Sequence, residues 1–119
     1  MKHGEMTKWG WMVLYPENLM MNPYVDIGAF TLIHAGAGVE LWTEVEIGSH
    51  CAIYSVSTID NKAAPVIISA HAKIGSHCTI MPGVTIGADS VIGAHSFVNK
   101  SISAGFLAYG VPARTVRCL

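Results

Sequence analysis

Through the second half of the chain an aliphatic residue returns at every sixth position: Ile68, Ile74, Ile80, Ile86, Ile92 and Val98. The fifth residue of each unit is small or compact (Ala72, Cys78, Val84, Ser90, Ser96), and glycine follows the aliphatic residue at Gly75, Gly87 and Gly93. A helix has a period of 3.6 and a strand a period of two, so neither produces a strict six; a fixed six marks a repeat architecture. The pattern begins earlier but less cleanly. Residues 27–32 form one unit and 33–37 open another; two extra residues near Gly36 to Gly38 then shift the register. It resumes at Leu41, Ile47 and Ile53, with Val45, Cys51 and Ser57 as compact fifth residues. After Ile59 it breaks through Asp60-Asn61-Lys62-Ala63-Ala64-Pro65 and returns at Ile68, which predicts a loop over 60–67 ejected from a continuous coil.

Each unit reads as a short strand plus a tight turn. The aliphatic residue points inward, the fifth is small because the chain corners there, and glycine permits close backbone approach. Three such strands close one turn of a triangular prism, so about 18 residues make a coil, with coils roughly 4.8 Å apart. The expected fold is all-β: a parallel β-helix of about four triangular coils with one ejected loop. Residues 1–24, carrying Trp9, Trp11, Tyr15, Met20 and Met21, are expected to cap one end. Residues 25–103 are the helix, and 104–119 a tail in which Phe106, Leu107 and Tyr109, with Phe97, cover the other end or meet a partner. So short a prism exposes strand edges and has little interior for its surface, so association is expected.

Composition narrows the function. At 119 residues the chain is one domain, with 13% charged residues and a net charge of −1. That is too apolar for a disordered segment and far from the basic stripe of a nucleic-acid binder. No apolar run reaches membrane-span length, and no signal peptide is legible around residues 9–15, which implies a cytoplasmic protein. Three cysteines without a C-x-x-C pair make no disulfide framework. Cys51 and Cys78 fall at the small fifth position, where burial is expected; Cys118 reads as a free thiol.

The hexads with Ile-Gly-x-x-Ser/Cys resemble those of the hexapeptide-repeat acyltransferases. The likeness spans residues 25–117 and is tightest over 74–87 and over Gly110-Val111-Pro112-Ala113-Arg114-Thr115-Val116-Arg117. Pro82-Gly83-Val84-Thr85-Ile86-Gly87 with the Gly-x-Pro-Ala-Arg ending is similar to the maltose and galactoside O-acetyltransferase branch and to sugar-antigen acetyltransferases. The resemblance implies a left-handed β-helix, against the usual right-handed crossover. It also implies a homotrimer with acetyl-CoA in the groove between two prisms, a sugar acceptor and no metal. By position, Ser76 and Ala94 would face the thioester and pantetheine arm, Asn99 and Lys100 would lie further along it, and Arg114 and Arg117 would sit near the phosphates. The chemistry suits them: of seven Lys and Arg, three (Lys100, Arg114, Arg117) fall in the last twenty residues, and guanidinium pairs well with phosphate.

One departure matters. Where the galactoside-type enzymes open the ejected loop with a threonine, histidine and proline motif whose histidine is the general base, this chain reads Tyr54-Ser55-Val56-Ser57-Thr58-Ile59-Asp60. Either another group supplies the base (His34 or Asp60), or the acceptor is an amine, which is partly neutral at pH 7 and needs no early base. The amine of an amino sugar, free or nucleotide-linked, is the favoured acceptor, with O-acetylation the alternative. Asp60, Asn61 and Lys62 on the loop are expected to orient it. His50, His71, His77 and His95 share the fourth position of their units, so they should point outward at corners, with His77 stacked beneath His95 and His71 beneath Asp89. His77, beside Ser76, is a further candidate at the thioester. Two rival functions use the same prism. A γ-class carbonic anhydrase-like zinc enzyme is disfavoured because His71 and His77, the closest pair, lie on different faces. A non-catalytic scaffold has no need of the basic C-terminal end.

Overall fold

In the computed structural model, which describes residues 1–119, the chain winds into a left-handed parallel β-helix. The first face carries strands Met12–Leu14, Leu32–His34, Ala52–Tyr54, Thr79–Ile80 and Phe97–Val98. The second carries Leu19–Met21, Val39–Leu41, Val66–Ile68 and Thr85–Ile86, continued by a bridge from Ile86 to Ile102. The third carries Asp26–Ile27, Glu46–Ile47, Lys73–Ile74, Val91–Ile92 and Phe106–Gly110. The chain visits the faces in that order on every coil. The only helical element is a single 3₁₀ turn, Pro16–Asn18.

The six-residue period translates directly into register. Ile74 pairs with Ile92 and Ile80 with Val98, each eighteen residues on. The aliphatic positions therefore stack as ladders: Ile33, Ile53, Ile80 and Val98 are all fully buried under the first face. The compact fifth residues are buried as well, Cys51 and Cys78 among them, except Ser57, which leaves with the ejected hairpin while Ser55 takes the buried corner. The glycines are required by backbone proximity. A Cβ on Gly75 would lie 2.6 Å from the Ala94 nitrogen of the next coil, and one on Gly48 the same distance from that of Ser76.

The ends differ from the sequence expectation. The helix begins at Met12 rather than residue 25, because Met12–Leu14 pairs with Leu32–His34 and Leu19–Met21 with Val39–Leu41. There are thus five levels on the first face rather than four. This first coil hides from a six-residue search because Tyr15 and the 3₁₀ turn lengthen its corner, leaving Val13 and Ile33 twenty residues apart. The cap is shorter: Met6 bridges Met12 antiparallel, and Gly4 donates its N–H to the Val13 carbonyl at 2.9 Å. At the other end Phe106–Gly110 is a strand of the third face, and Ala113–Cys118 folds back along it antiparallel. The terminal tail is therefore a hairpin that covers the exposed edge of the last coil.

The ejected loop is also a hairpin. Val56–Ser57 pairs antiparallel with Lys62–Ala63, and Val66 is already back in the core opposite Val39. Excursion starts at Ser55, five residues before the predicted break. Ser55 is fully buried: its hydroxyl donates to the His34 carbonyl at 2.7 Å and accepts the Ala37 N–H at 2.9 Å. The Ser55 carbonyl accepts the Ala64 N–H, which closes the hairpin's neck.

Candidate active site

The prism has three corners of different character, and the candidate residues are divided among them. Between the third and first faces, Phe30, His50, His77 and His95 occupy the same place on successive coils. All four have φ near +60°, at 64°, 58°, 59° and 62°. That left-handed conformation turns the chain, and it aims the backbone N–H of His50, His77 and His95 at a carbonyl of the coil below. The rings therefore stack. His50 to His77 and His77 to His95 are both 4.7 Å between centroids, with interplanar angles of 3° and 15°, and Phe30 lies 5.1 Å below His50. Parallel imidazoles one coil apart cannot both aim an in-plane lone pair at one ion about 2.0–2.1 Å away, so the column is no chelate. Ser76 and Ala94 precede His77 and His95 on this corner.

Between the second and third faces the equivalent column is Tyr24, Glu44, His71 and Asp89, again at positive φ. His71 Nδ1 donates to Glu44 Oε2 on the coil below at 2.9 Å, so its partner is beneath it rather than Asp89 above. Lys73 pairs with Glu46 alongside at 3.5 Å.

Between the first and second faces lies the hairpin, and here a pocket of about 410 Å³ opens on the outside of the first face. His34 and Tyr54 form its floor from neighbouring strands, with Thr79 and Phe97 on the coils above. Val56, Ser57, Thr58 and Ile59 of the hairpin make one wall and Met81 another. Phe97, expected to cover an end, lines this pocket instead. His34 is half-buried, as its outward position predicts. Its Nδ1 accepts the Gly36 N–H at 3.2 Å, and its ring stacks on Tyr15 at 5.6 Å.

Other expected residues lie elsewhere. Asp60, Asn61 and Lys62 sit at the hairpin turn and do not line the pocket; Asp60 and Lys62 face each other at 4.0 Å. Ile59, on the turn itself and 99% exposed, borders the pocket where these charges were expected. Asn99 and Lys100 follow Phe97–Val98 and so lie on the hairpin corner, one coil above Met81, apart from Ser76 and Ala94 on the histidine corner. Arg114 and Arg117 are exposed on the last strand, Arg114 donating to its neighbour's carbonyl, that of Ala113, at 2.8 Å. None of Lys100, Arg114 and Arg117 pairs with a carboxylate. One chain therefore brings His34 to a pocket but does not gather the anticipated CoA-contacting residues in one place. Tyr54, Ile59 and Met81 were not anticipated; Ile59 continues the six-residue spacing of Leu41, Ile47 and Ile53 and so reads as an inward residue, whereas the hairpin carries it out to 99% exposure.

The cysteines serve packing. Cys51 donates to the Gly75 carbonyl at 3.2 Å and Cys78 to that of Gly93 at 3.1 Å. The neighbouring Cys78 thiol, together with burial, pushes the Cys51 thiol well above its ordinary range.

The model of the family described as bacterial transferase hexapeptide (six repeats) matches residues 65–100. A Staphylococcus aureus protein provisionally named an acetyltransferase is 35% identical over 114 residues, covering 93% of this chain and 57% of its own length. Among solved structures, a hexapeptide-repeat acetyltransferase of Vibrio cholerae complexed with acetyl coenzyme A superposes with a TM-score of 0.87 at 28% identity, covering 92% of this chain and 64% of that one. A mutant of AntD, an N-acyltransferase from Bacillus cereus, in complex with dTDP and coenzyme A, gives 0.78 at 25%, covering 91% and 65%. The chain thus spans less than two thirds of each of these relatives. No helix is long and apolar enough to cross a membrane. Residues 65–100 thus match the hexapeptide-repeat family, and the fold is similar to that of a solved acetyltransferase built on that repeat.

Proposed function

We propose that the chain is a CoA-dependent acetyltransferase that acylates an amine on a sugar held in the hairpin pocket. The observation that carries the amine is the state of His34. Because the Gly36 N–H occupies Nδ1, the neutral ring keeps its proton on Nε2, which is then a donor. Such a ring cannot take a proton from a sugar hydroxyl, and lacking a general base costs about 10²–10⁴-fold. An amine needs none at the outset. Its lone pair attacks the thioester carbonyl carbon and the C–N bond forms while charge moves to oxygen. The C–S bond then breaks, and the proton shed by nitrogen ends on the departing sulfur, leaving an amide and the CoA thiol. Backbone N–H groups in the groove stabilise the developing oxyanion. His34 Nε2–H orients the acceptor, and neither His77, locked in its stack, nor Asp60, outside the pocket, is assigned the proton.

The donor is supported by the similar proteins holding acetyl coenzyme A or coenzyme A, and by three basic side chains free of carboxylate partners. Ser76 and Ala94 would line the acyl end, Asn99 and Lys100 the arm, Arg114 and Arg117 the phosphates. Since these come from two corners and the terminal hairpin, a groove between two copies is the natural place for them to meet, which supports a homotrimer. Sedimentation at micromolar concentration is expected to give three times the chain mass of 12.7 kDa; a monomer contradicts that assembly. Acetyl-CoA binding measured by calorimetry tests the donor: Arg114→Ala should weaken it by about 1–2 kcal/mol, as for a charge-assisted hydrogen bond. No binding to the native protein would instead favour a non-catalytic scaffold.

A further inference from the structure

We infer that the lengthened corner of the first coil is a bracket for His34, with Tyr15 and Asn18 as positioning residues that hold the ring's orientation and tautomer. This rests on the acyltransferase reading above, in which His34 orients the acceptor, and specifies what keeps it in place. The corner from Val13 to Met21 takes eight residues, as does that from Ile33 to Leu41 on the next coil, whereas Ile80 to Ile86 takes six. The extra chain is not there for the core: Tyr15, Glu17 and Asn18 are exposed, and the 3₁₀ turn buries nothing. It packs instead on the corner above, the one that carries His34.

Several contacts converge on the ring. Tyr15 stacks on its face, with centroids 5.6 Å apart and planes 30° from parallel. Gly36 donates its N–H to Nδ1 at 3.2 Å. Asn18 holds Gly36 in turn, its Nδ2 donating to the Gly36 carbonyl at 3.2 Å. Glycine is required there, because a Cβ at Gly36 would lie 2.8 Å from His34 Cε1 and 3.1 Å from Val56 Cγ2 of the hairpin. Tyr15 is itself pinned from the N-terminal segment: its N–H donates to His3 Nδ1 at 2.9 Å, and the His3 ring sits edge-on to it at 4.6 Å. All of these contacts are made within one chain. A ring gripped on one face and at Nδ1 is kept from the half-turn that would exchange its nitrogens, so Nε2–H stays available to the pocket. A donor held in place before the acceptor arrives spares the ordering that binding would otherwise have to supply.

The experiment reads the His34 ring nitrogens of the full chain by nitrogen NMR at about pH 8, above the ordinary imidazole range. The native protein should show one tautomer, with the proton on Nε2. Two variants loosen the bracket: Tyr15→Asn removes the ring but tolerates the corner's φ of 59°, and Asn18→Asp replaces the donor to Gly36 with an acceptor. Each should admit the Nδ1–H tautomer while circular dichroism stays native, both positions being exposed. In acetyl transfer each should lower kcat about three- to tenfold, the scale of one aromatic contact or hydrogen bond, with KM for acetyl-CoA unchanged. Tyr15→Phe, which keeps the stack, should restore the native rate. In a His34→Ala background Tyr15→Asn should lower kcat no further, as expected of one residue acting through another. An unchanged tautomer in both variants, or the same fractional loss of rate with and without the His34 ring, would overturn the inference. So would a native chain already mixed in tautomer. Failure of the native chain to bind acetyl-CoA in calorimetry would overturn the acyltransferase reading and the bracket's purpose with it. The nitrogen spectrum, recorded without substrate, keeps the two failures apart.

Discussion

The histidine corner and the hairpin corner flank the same face of the prism and are made from the same six-residue unit, yet only one builds a pocket. At the histidine corner the fourth residue of successive coils lands in the same place with the same dihedrals, so Phe30, His50, His77 and His95 stack ring on ring. A ladder repeats one chemical environment and gathers nothing dissimilar. At the hairpin corner the coils have unequal lengths: Val13 to Ile33 and Ile33 to Ile53 span twenty residues, Ile53 to Ile80 spans 27, and Ile80 to Val98 spans eighteen. Unequal lengths break the equivalence between coils. His34, Tyr54 and Met81 take the same place on successive coils, directly after Ile33, Ile53 and Ile80, and the hairpin inserted after Tyr54 brings the dissimilar Ile59 beside them to enclose one space. Regularity supplies the rigid frame, and departure from it supplies the site.

That contrast can be broken in several places. The largest effect is expected at the regular corner, where Gly75→Val puts a side chain against the Ala94 backbone nitrogen. It should cost about 3 kcal/mol in urea denaturation, since two backbone segments would have to part. Stability like that of the parent would mean the coils are not so tightly stacked. At the irregular corner, deleting residues 56–64 brings the long coil down from 27 to the regular eighteen. Circular dichroism and stability should change little, because the hairpin packs outside the core, while acetyl transfer should fall by at least about 100-fold with the acceptor no longer positioned. Retained activity would dismiss the pocket. Smaller again, His34→Ala should lower kcat/KM about tenfold, the scale of one net hydrogen bond of about 1–1.5 kcal/mol. Its rate should show no new dependence on pH; a lost inflection near the ordinary imidazole range of about 6.5 would restore His34 as base. His77→Asn should alter stability by less than about 1 kcal/mol, because asparagine tolerates the positive φ and only ring stacking is lost.

The smallest effect concerns pH. The folded Cys51 thiol titrates above its unfolded range, so the stabilisation it gives is fully present below about pH 8.5 and is lost as pH rises beyond. Melting temperature should decline above that pH, and less so in Cys51→Ala. In the native state only Cys118 should react with a thiol reagent, since Cys51 and Cys78 are buried. Three fast-reacting thiols without denaturant would refute the packing described.

These comparisons also show what a single sequence can reveal. Residues 68–98 were legible because every coil repeats the last, so a period in sequence is a stack in space. The columns of His77 with His95 and the burial of Cys51 and Cys78 followed from position alone. The first coil was hidden, since its corner is lengthened at Pro16–Asn18 and only Val13 and Leu19 mark its inward positions on the first two faces. The pocket was hidden for a related reason. Which residues meet across a hairpin of unequal arms depends on where the chain leaves the coil, and Ser55, whose two hydrogen bonds fix that point, resembles any other small corner residue. Charge drew attention to Asp60 and Lys62, whereas the pocket is lined by their apolar neighbour Ile59.

The central claim is that the irregular corner holds an amine for acylation. It is tested most directly by two acceptors identical except for NH₂ or OH at one ring carbon, assayed with acetyl-CoA at pH 7. The account expects the amine to be acylated with kcat/KM at least about 100-fold higher, the scale of a missing general base. Equal or faster acylation of the hydroxyl would contradict it.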